Sequence, residues 1–143
     1  MGLDVGSHTI GVAVSDELGM TAQPVATIRR KTMDEDVRQI KNIIALYQID
    51  KIVVGLPRNM NGTVGKQAEA IFKWIKTIQQ RIHLPIVTWD ERLSTVGASR
   101  VLLEADLSRE KRKKVIDKLA AVFILQGYLD RTRIQNNDPI LPA

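Results

Sequence analysis

The chain has 143 residues and a mass of 16.0 kDa, which suits one domain, residues 1–143, with a core that needs no disulfide staples. It contains no cysteine, which excludes disulfides and thiolate metal sites, and no run of 18 apolar residues or signal-peptide pattern, so we expect a cytoplasmic protein outside the membrane. A formal net charge of +5 favours an anionic partner, with nucleic acid ahead of a membrane surface.

The N-terminal part of the chain predicts three consecutive strands. The stretch from Gly2 to Asp16 has the pattern of two short strands joined by a glycine-bearing turn, the second covering residues 10–15. A third strand is predicted over residues 23–30, after a turn around Gly19. Connections this short favour an antiparallel meander.

The rest of the chain alternates helices and strands. We predict, in order, a helix over 35–48 capped by Asp34, a strand over 51–55, a helix over 65–82, a strand over 86–89, a helix over 95–105, and a last helix from a cap at Ser108 to about Tyr128. The apolar side of the 65–82 helix is predicted to consist of Ala68, Ile71, Phe72, Ile75 and Ile78. Residues 131–143 are expected to be a frayed tail.

This order predicts an α/β fold with a mixed five-stranded sheet, made of the meander plus two parallel strands and flanked by helices. Strands that follow long helices lie parallel, through right-handed crossovers. Ligands of such sheets bind at the carboxyl ends of the parallel strands. The loops after the strands at 51–55 and 86–89 should therefore face each other near the first strand.

Asp4 is the most informative residue of the first strand. Its side chain should point away from those of Leu3 and Val5, and Gly6 leaves space on the same side. A carboxylate in a central strand is otherwise disfavoured, so it is a candidate ligand for a metal ion or a metal-bound phosphate. The alternative is that Asp4 caps a turn before residue 10.

Further acids are needed because Mg²⁺ requires several hard oxygen ligands. Glu91 directly follows an apolar strand. Asp90 is the alternative, because the alternation of side chains cannot decide between two residues at the end of a strand. Asp117 lies within the last helix on the side of Ala120 and Ala121, which should pack inward. Two carboxylates about 4 Å apart repel by roughly 4 kcal/mol at an effective dielectric of about 20, so a cluster of three indicates a cation.

Ordinary ion pairs are the alternative for two of these acids. Asp117 could pair with Lys113 or Lys114, and Glu91 could pair with Arg92. Exposed pairs of this kind contribute about 0.5 kcal/mol or less.

Basic residues cluster near the predicted site. The segment from Arg109 to Lys114 holds five positive residues in six at the start of the helix that carries Asp117, where they oppose the helix dipole. Phosphate binding would explain them, although a solvated helix face is the alternative. The candidate nucleic-acid contacts are Arg58, Lys66, Arg92, Arg109, Lys111, Arg112, Lys113 and Lys114.

Six motifs, in order along almost the whole chain, resemble the YqgF (RuvX) family of Holliday-junction-resolvase-like nucleases, also described as pre-16S rRNA nucleases. They are Gly2-Leu3-Asp4-Val5-Gly6-Ser7, residues 10–16, Val54-Gly55-Leu56-Pro57, residues 59–63, residues 90–95 and residues 111–121. The resemblance implies an RNase H-like fold, a cytoplasmic location and processing of the 5′ end of pre-16S rRNA. It maps the family's three acids onto Asp4, Glu91 and Asp117. The family commonly has several residues before the glycine that precedes the aspartate, whereas here only Met1 precedes Gly2, which should loosen the anchoring of Asp4.

We interpret the sequence as that of an enzyme for metal-dependent phosphodiester hydrolysis, with Asp4, Glu91 and Asp117 holding Mg²⁺ or Mn²⁺. Pre-rRNA is favoured over a DNA junction as the partner, and the protein is expected to be a monomer or a homodimer. The alternative is a non-catalytic binder of structured RNA or four-way DNA junctions, or a Holliday junction resolvase. A phosphotransferase ranks last, because such enzymes pair two lobes around a nucleotide and this chain supplies one.

Overall fold

The computed structural model describes residues 1–57, 65–91 and 109–136, with side chains in the last range described from 119 to 133. Within these residues, five strands form one sheet and three helices flank it. In chain order the elements are β1 (Gly2–Val5), β2 (Thr9–Ser15), β3 (Ala22–Arg29), α1 (Met33–Tyr47), β4 (Ile52–Leu56), α2 (Lys66–Gln79), β5 (Ile86–Asp90) and α3 (Arg109–Asn136).

The strand order across the sheet is β3-β2-β1-β4-β5, so β1 is central. β1 pairs antiparallel with β2 and β2 with β3, whereas β1 with β4 and β4 with β5 are parallel. The predicted meander plus two parallel strands is therefore confirmed. The carboxyl ends of β1, β4 and β5 lie at one edge of the sheet, where ligands of such folds bind.

The two faces of the sheet bury different residues, because side chains alternate along each strand. One face joins α1 and α2 in a core that includes Leu3, Ile10, Val12, Ile40, Ile52, Val54, Leu56, Trp74 and Ile78. The other face packs on α3 in a smaller core that includes Ala13, Val53, Trp89, Ala120, Ala121, Ile124 and Leu125. Both tryptophans lie in the core.

β1 is only four residues long, but it is held on both sides. Met1 is buried, and its carbonyl accepts a hydrogen bond of 2.8 Å from the Val53 amide. The Met1 amino group donates to the Lys51 carbonyl at 3.0 Å, and burial lowers the pKa of this amino group to about 6. Asp4 is thus carried on a strand with paired neighbours, which does not bear out the expected loosening.

Two predictions about helices α1 and α2 are wrong. α1 is capped by Thr32, whose Oγ1 accepts from the Glu35 amide at 3.2 Å, whereas Asp34 lies in the first turn and pairs with Arg81 at 2.7 Å. On α2, Trp74 takes the buried position and Phe72 is 37% exposed, because the helix turns its 71, 74, 75 and 78 positions to the sheet.

The predicted end of the last helix is also wrong. α3 continues past Tyr128 to Asn136, and Arg133 donates to Asp130 at 2.8 Å one turn earlier. No glycine or proline occurs between Gly127 and Pro139, so nothing local ends the helix at Tyr128. The tail prediction is therefore wrong for 131–136, while 137–143, the predicted 95–105 helix and its neighbour Ser108 lie outside the described residues. No helix in the part of the chain that the structure describes is long and apolar enough to cross a membrane.

Candidate functional site

Asp4 lies near the carboxyl end of the central strand, on the face that packs against α3. Its neighbours Leu3 and Val5 point into the core under α1 and α2, as strand alternation predicted. Asp4 pairs with Gly11 on β2, and because Leu3 pairs with Val54, the next residue of β4 beside Asp4 is Gly55. The half-buried carboxylate is thus surrounded by positions without side chains.

The structure separates the two acids that follow β5. Trp89 packs against α3, so alternation turns the Asp90 side chain to the opposite face. Glu91 returns to the α3 face, where its Oε1 lies 2.9 Å from the point that a Cβ on Gly55 would occupy. Of the two alternatives, Glu91 is therefore the acid that shares a face with Asp4, and it reaches the strand residue beside Asp4.

Small residues let α3 approach the sheet closely at this point. A Cβ on Gly2 would lie 2.7 Å from the Leu125 Cβ and 3.0 Å from the Ala121 carbonyl oxygen. Ala120 and Ala121 are fully buried, which confirms the predicted close packing of this helix. The absence of side-chain bulk on both partners makes this distance possible.

The direction of α3 places the backbone of Asp117 at the same end of the sheet. Tyr128 accepts a hydrogen bond of 3.0 Å from Lys51, just before β4 begins, whereas Ile124 covers Gly55 near the end of β4. α3 therefore runs antiparallel to β4. Ala121 lies beside Gly2. Asp117 lies one turn, about 6 Å, before Ala121 along α3, and Asp4 lies about 6–7 Å beyond Gly2 along β1. Because the helix and the strand run in opposite directions, the backbones of Asp117 and Asp4 lie at a similar height along the strand axis. The Asp117 side chain itself lies outside the described residues.

The described part of the site offers oxygen ligands suited to a hard divalent cation. Asp4 and Glu91 supply carboxylates from two separate elements at one sheet edge, which is the donor chemistry of Mg²⁺ and Mn²⁺. Among the described side chains, no three His, Cys, Asp or Glu residues form a group that could hold a metal ion. A third ligand is expected from Asp117, on a helix that the packing brings to this edge.

Of the predicted phosphate contacts, Lys66 is the one whose side chain is described. It is the exposed first residue of α2, and it lines a cleft of about 370 Å³ at the carboxyl end of β1. Arg58 and Arg92 lie outside the described residues. The remaining candidates, Arg109, Lys111, Arg112, Lys113 and Lys114, belong to the first turns of α3, and nothing further is described of their side chains.

Arg30 lines the same cleft and was missed by the sequence patterns. Its Nη1 donates to the Gly6 carbonyl at 2.6 Å, and its backbone amide donates to the His8 carbonyl at 2.8 Å. Arg30 therefore holds the turn that directly follows Asp4 and its strand. The available signal was the run of positive charge Arg29-Arg30-Lys31 at the end of a predicted strand.

Comparison with solved structures shows the fold. The chain matches T. thermophilus RuvC, described in complex with a Holliday junction substrate, with a TM-score of 0.57 at 10% sequence identity over 94% of each chain. This likeness confirms the RNase H-like architecture that the sequence resemblance implied.

Comparison with sequences shows the family. A protein of Clostridium acetobutylicum named "Putative pre-16S rRNA nuclease" is 57% identical over 130 residues, which cover 91% of this chain and 96% of the relative. A protein of Desulforamulus reducens with the same name is 58% identical over 130 residues, covering 91% of this chain and 95% of the relative. The family model RuvX, described as Holliday junction resolvase, matches residues 1–131. Because the family model and both relatives match almost the whole of its length, the chain belongs to the RuvX family.

Proposed function

We propose that this protein is a nuclease that hydrolyses phosphodiester bonds, with Asp4, Glu91 and Asp117 as its metal-holding carboxylates. One observation carries the proposal: Glu91 folds over Gly55, the residue beside Asp4, so that acids from two elements reach one patch of the sheet. Family membership and the names of the relatives support the same reaction class.

Each acid would be carried by a different element. Asp4 lies on the paired central strand, Glu91 follows β5 and reaches over Gly55, and Asp117 belongs to α3, which packs closely on small residues. A bound Mg²⁺ or Mn²⁺ would activate a water and stabilise charge on the leaving oxygen, so no side-chain nucleophile is required. Lys66, Arg58, Arg92 and the basic first turns of α3 would hold the phosphate backbone in register.

We propose pre-16S rRNA as the substrate and maturation of its 5′ end, in ribosome biogenesis, as the role. The support is the shared name of relatives that are 57–58% identical over nearly their full lengths. Processing of rRNA would place the protein in the cytoplasm.

A four-way DNA junction is the second candidate substrate. The family description and the RuvC complex both name the Holliday junction. Cutting a junction in two symmetrical strands needs two active sites related by symmetry, which predicts a homodimer, whereas cleavage of a single RNA strand is compatible with a monomer. The mass of the protein in solution, with and without each nucleic acid, distinguishes these two arrangements.

The test compares two end-labelled substrates, a pre-16S leader RNA and a synthetic four-way DNA junction, in Mg²⁺, Mn²⁺ and EDTA. Wild type is compared with the variants Glu91→Gln and Asp117→Asn, and with Asp90→Asn as the matched control from the opposite face. We expect metal-dependent cleavage that falls at least about 100-fold in the first two variants and is retained in the control, since even outer-shell partners of a metal cost 10–100-fold.

Two results would contradict the proposal. Equal losses in Asp90→Asn and Glu91→Gln would remove the assignment of Glu91. Binding of both nucleic acids without cleavage in any metal would instead identify a non-catalytic binding module.

A further inference from the structure

The carboxyl end of β1 carries a second feature besides Asp4, the cleft that Lys66 and Arg30 line. The described residues that line it are Val5, Gly6, Ser7, Arg30, Lys66, Gln67, Ala70, Ile71 and Trp74. Because Val5 points to the α2 side and Asp4 to the α3 side, the cleft and the acids lie on opposite faces of the sheet but at the same end. A nucleic-acid strand that crosses this end can reach both.

The charges of the cleft favour an anion. Lys66 and Arg30 are cations, and the described lining residues include no carboxylate. Lys66 also begins α2, whose N-cap residue is Gly65, a residue that has no side-chain oxygen to offer the first amides of the helix. The positive end of the helix dipole therefore adds to the two side-chain charges.

Arg30 is held in place before any ligand arrives. Its Nη1 donates to the Gly6 carbonyl at 2.6 Å, and its Nε lies 3.8 Å from Oδ2 of Asp36, which is buried behind it. The first contact is a hydrogen bond that uses one of the five donors of the guanidinium group, and the second is an ion pair whose carboxylate offsets part of the Arg30 charge. An arginine that is already ordered loses less conformational entropy on binding than a free surface lysine does.

The size and walls of the cleft indicate a ligand larger than a phosphate ion. Its volume of about 370 Å³ falls in the range of small-molecule sites. Val5, Ala70, Ile71 and Trp74 form an apolar wall beside the two cations, and Ser7 adds a hydroxyl group. An apolar wall with charge at one end matches a nucleotide, whose sugar and base are less polar than its phosphate.

We propose that this cleft binds one nucleotide of the substrate strand, with its phosphate between Arg30 and Lys66 and its sugar and base against Ala70 and Trp74. The inference rests on the proposed nuclease function, and it adds a strand-positioning site on the face opposite to the three acids. Arg30 and Lys66 are positioning residues in this scheme, since they hold the strand at one point while the acids act at another.

The first experiment measures binding without requiring cleavage. Full-length protein is titrated with a 5′-nucleoside monophosphate, with the matching nucleoside and with inorganic phosphate, and Trp74 in the cleft wall reports by its fluorescence in a Trp89→Phe background. We expect the monophosphate to bind more tightly than either fragment. Lys66→Gln should weaken its binding roughly 10-fold, as expected for loss of one charge-assisted contact. Lys73→Gln, an exposed lysine on α2 that does not line the cleft, is the matched control.

The second experiment fills the cleft without changing its charge. Ala70→Leu adds bulk to the wall at an exposed helical position that leucine suits, so the variant should fold. We expect it to raise KM for the nucleic-acid substrate roughly 10-fold with little change in kcat, as loss of uniform binding does. Lys66→Gln should in addition lower the slope of log K against log salt by about 0.7 for a single strand.

The outcomes separate this proposal from the nuclease assignment. Equal effects of Lys66→Gln and Lys73→Gln, or unchanged binding in Ala70→Leu, would overturn the cleft and leave the acids untouched. Loss of nucleotide binding in Lys66→Gln from a protein that cleaves nothing would support the cleft and count against the nuclease.

Discussion

The two faces of the sheet show how this fold separates stability from chemistry. The face toward α1 and α2 is filled with large aliphatic side chains such as Leu3, Ile10 and Val54, all fully buried. The face toward α3 combines larger side chains such as Val53 and Trp89 with Gly2 and Gly55, which lie in contact range of helix atoms. The first face has the larger core, and on the second face a helix that carries an acid approaches the sheet closely.

Adjacent residues of one strand therefore have different roles, one in stability and the other in the chemistry of the site. Side chains at Gly2 or Gly55 would hold that helix away from the sheet and move the backbone of Asp117 away from Asp4. Small residues give up burial on that face, and the thick core on the other face supplies the stability instead. Substitutions should therefore affect folding and activity separately, according to the face they touch.

The largest expected effects come from the neighbours Leu3 and Asp4, whose side chains point to opposite faces. Leu3→Ala should lower the free energy of unfolding by about 2–5 kcal/mol through the cavity it leaves, while the folded fraction still cleaves. Asp4→Asn should reduce cleavage at least about 100-fold and leave the unfolding midpoint near that of wild type. Urea unfolding and cleavage per folded molecule measure the two effects. Large activity loss at matched folding in Leu3→Ala would contradict the separation of the faces.

The contact between β1 and α3 provides the next test. Gly2→Ala places a Cβ 2.7 Å from the Leu125 Cβ and 3.0 Å from the Ala121 carbonyl oxygen, so the helix must shift outward. We expect a loss of about 1–3 kcal/mol in the free energy of unfolding, together with reduced cleavage, because the displaced helix carries Asp117. Gln23→Ala, an exposed position on β3, should stay within about 0.5 kcal/mol of wild type. Full activity in a destabilised Gly2→Ala protein would show that the distance between α3 and the sheet does not matter for the site.

A substitution at Gly55 tests the position of the Glu91 carboxylate on the same face of the sheet. A Cβ there would contact the Ile124 side chain and approach Glu91 Oε1 to 2.9 Å. Gly55→Ala should cost about 1–2 kcal/mol in stability and lower cleavage roughly 10-fold by moving the Glu91 carboxylate. Adding Ile124→Val removes the Cδ1 atom that the new methyl group meets but leaves a Cγ atom 2.9 Å away, so the double variant should regain part of the stability but not the activity. Recovery of activity in the double variant would mean that Ile124, and not Glu91, carries the effect.

The sequence predicted the sheet topology and the elements that carry the acids, because both depend on local periodicity. Alternation around Asp4 and the helical spacing from Asp117 to Ala121 are properties of single elements, and the structure confirms both the strand face and the close packing of the alanines. The choice between Asp90 and Glu91 could not be made in the same way. It depends on how far β5 continues and on the space above Gly55, which belongs to another strand.

Other features could not be predicted from the sequence. In one case two local patterns competed, and in another the feature depends on a contact between distant parts of the chain. Thr32 and Asp34 are both good caps, and only the start of α1 at Met33 decides between them. The role of Arg30 depends on the end of β3 lying beside the turn at Gly6, which is a tertiary contact. α3 extends beyond its predicted end because apolar periodicity fades after Tyr128 while no helix breaker occurs before Pro139.

The smallest expected effect is that of a substitution at the N-cap of α1, which is remote from the acids of the site. Thr32 Oγ1 accepts from the Glu35 amide at 3.2 Å, so Thr32→Ala leaves that amide without its side-chain acceptor. We expect a loss of about 1 kcal/mol in the free energy of unfolding, while Thr32→Ser, which keeps the hydroxyl group, should stay close to wild type. Cleavage per folded molecule should be unchanged in both variants, because α1 packs on the face that contains no acid of the site. A fall in cleavage with Thr32→Ala but not with Thr32→Ser would instead link the start of α1 to the site, through Asp36 in its first turn and the ion pair of Asp36 with Arg30.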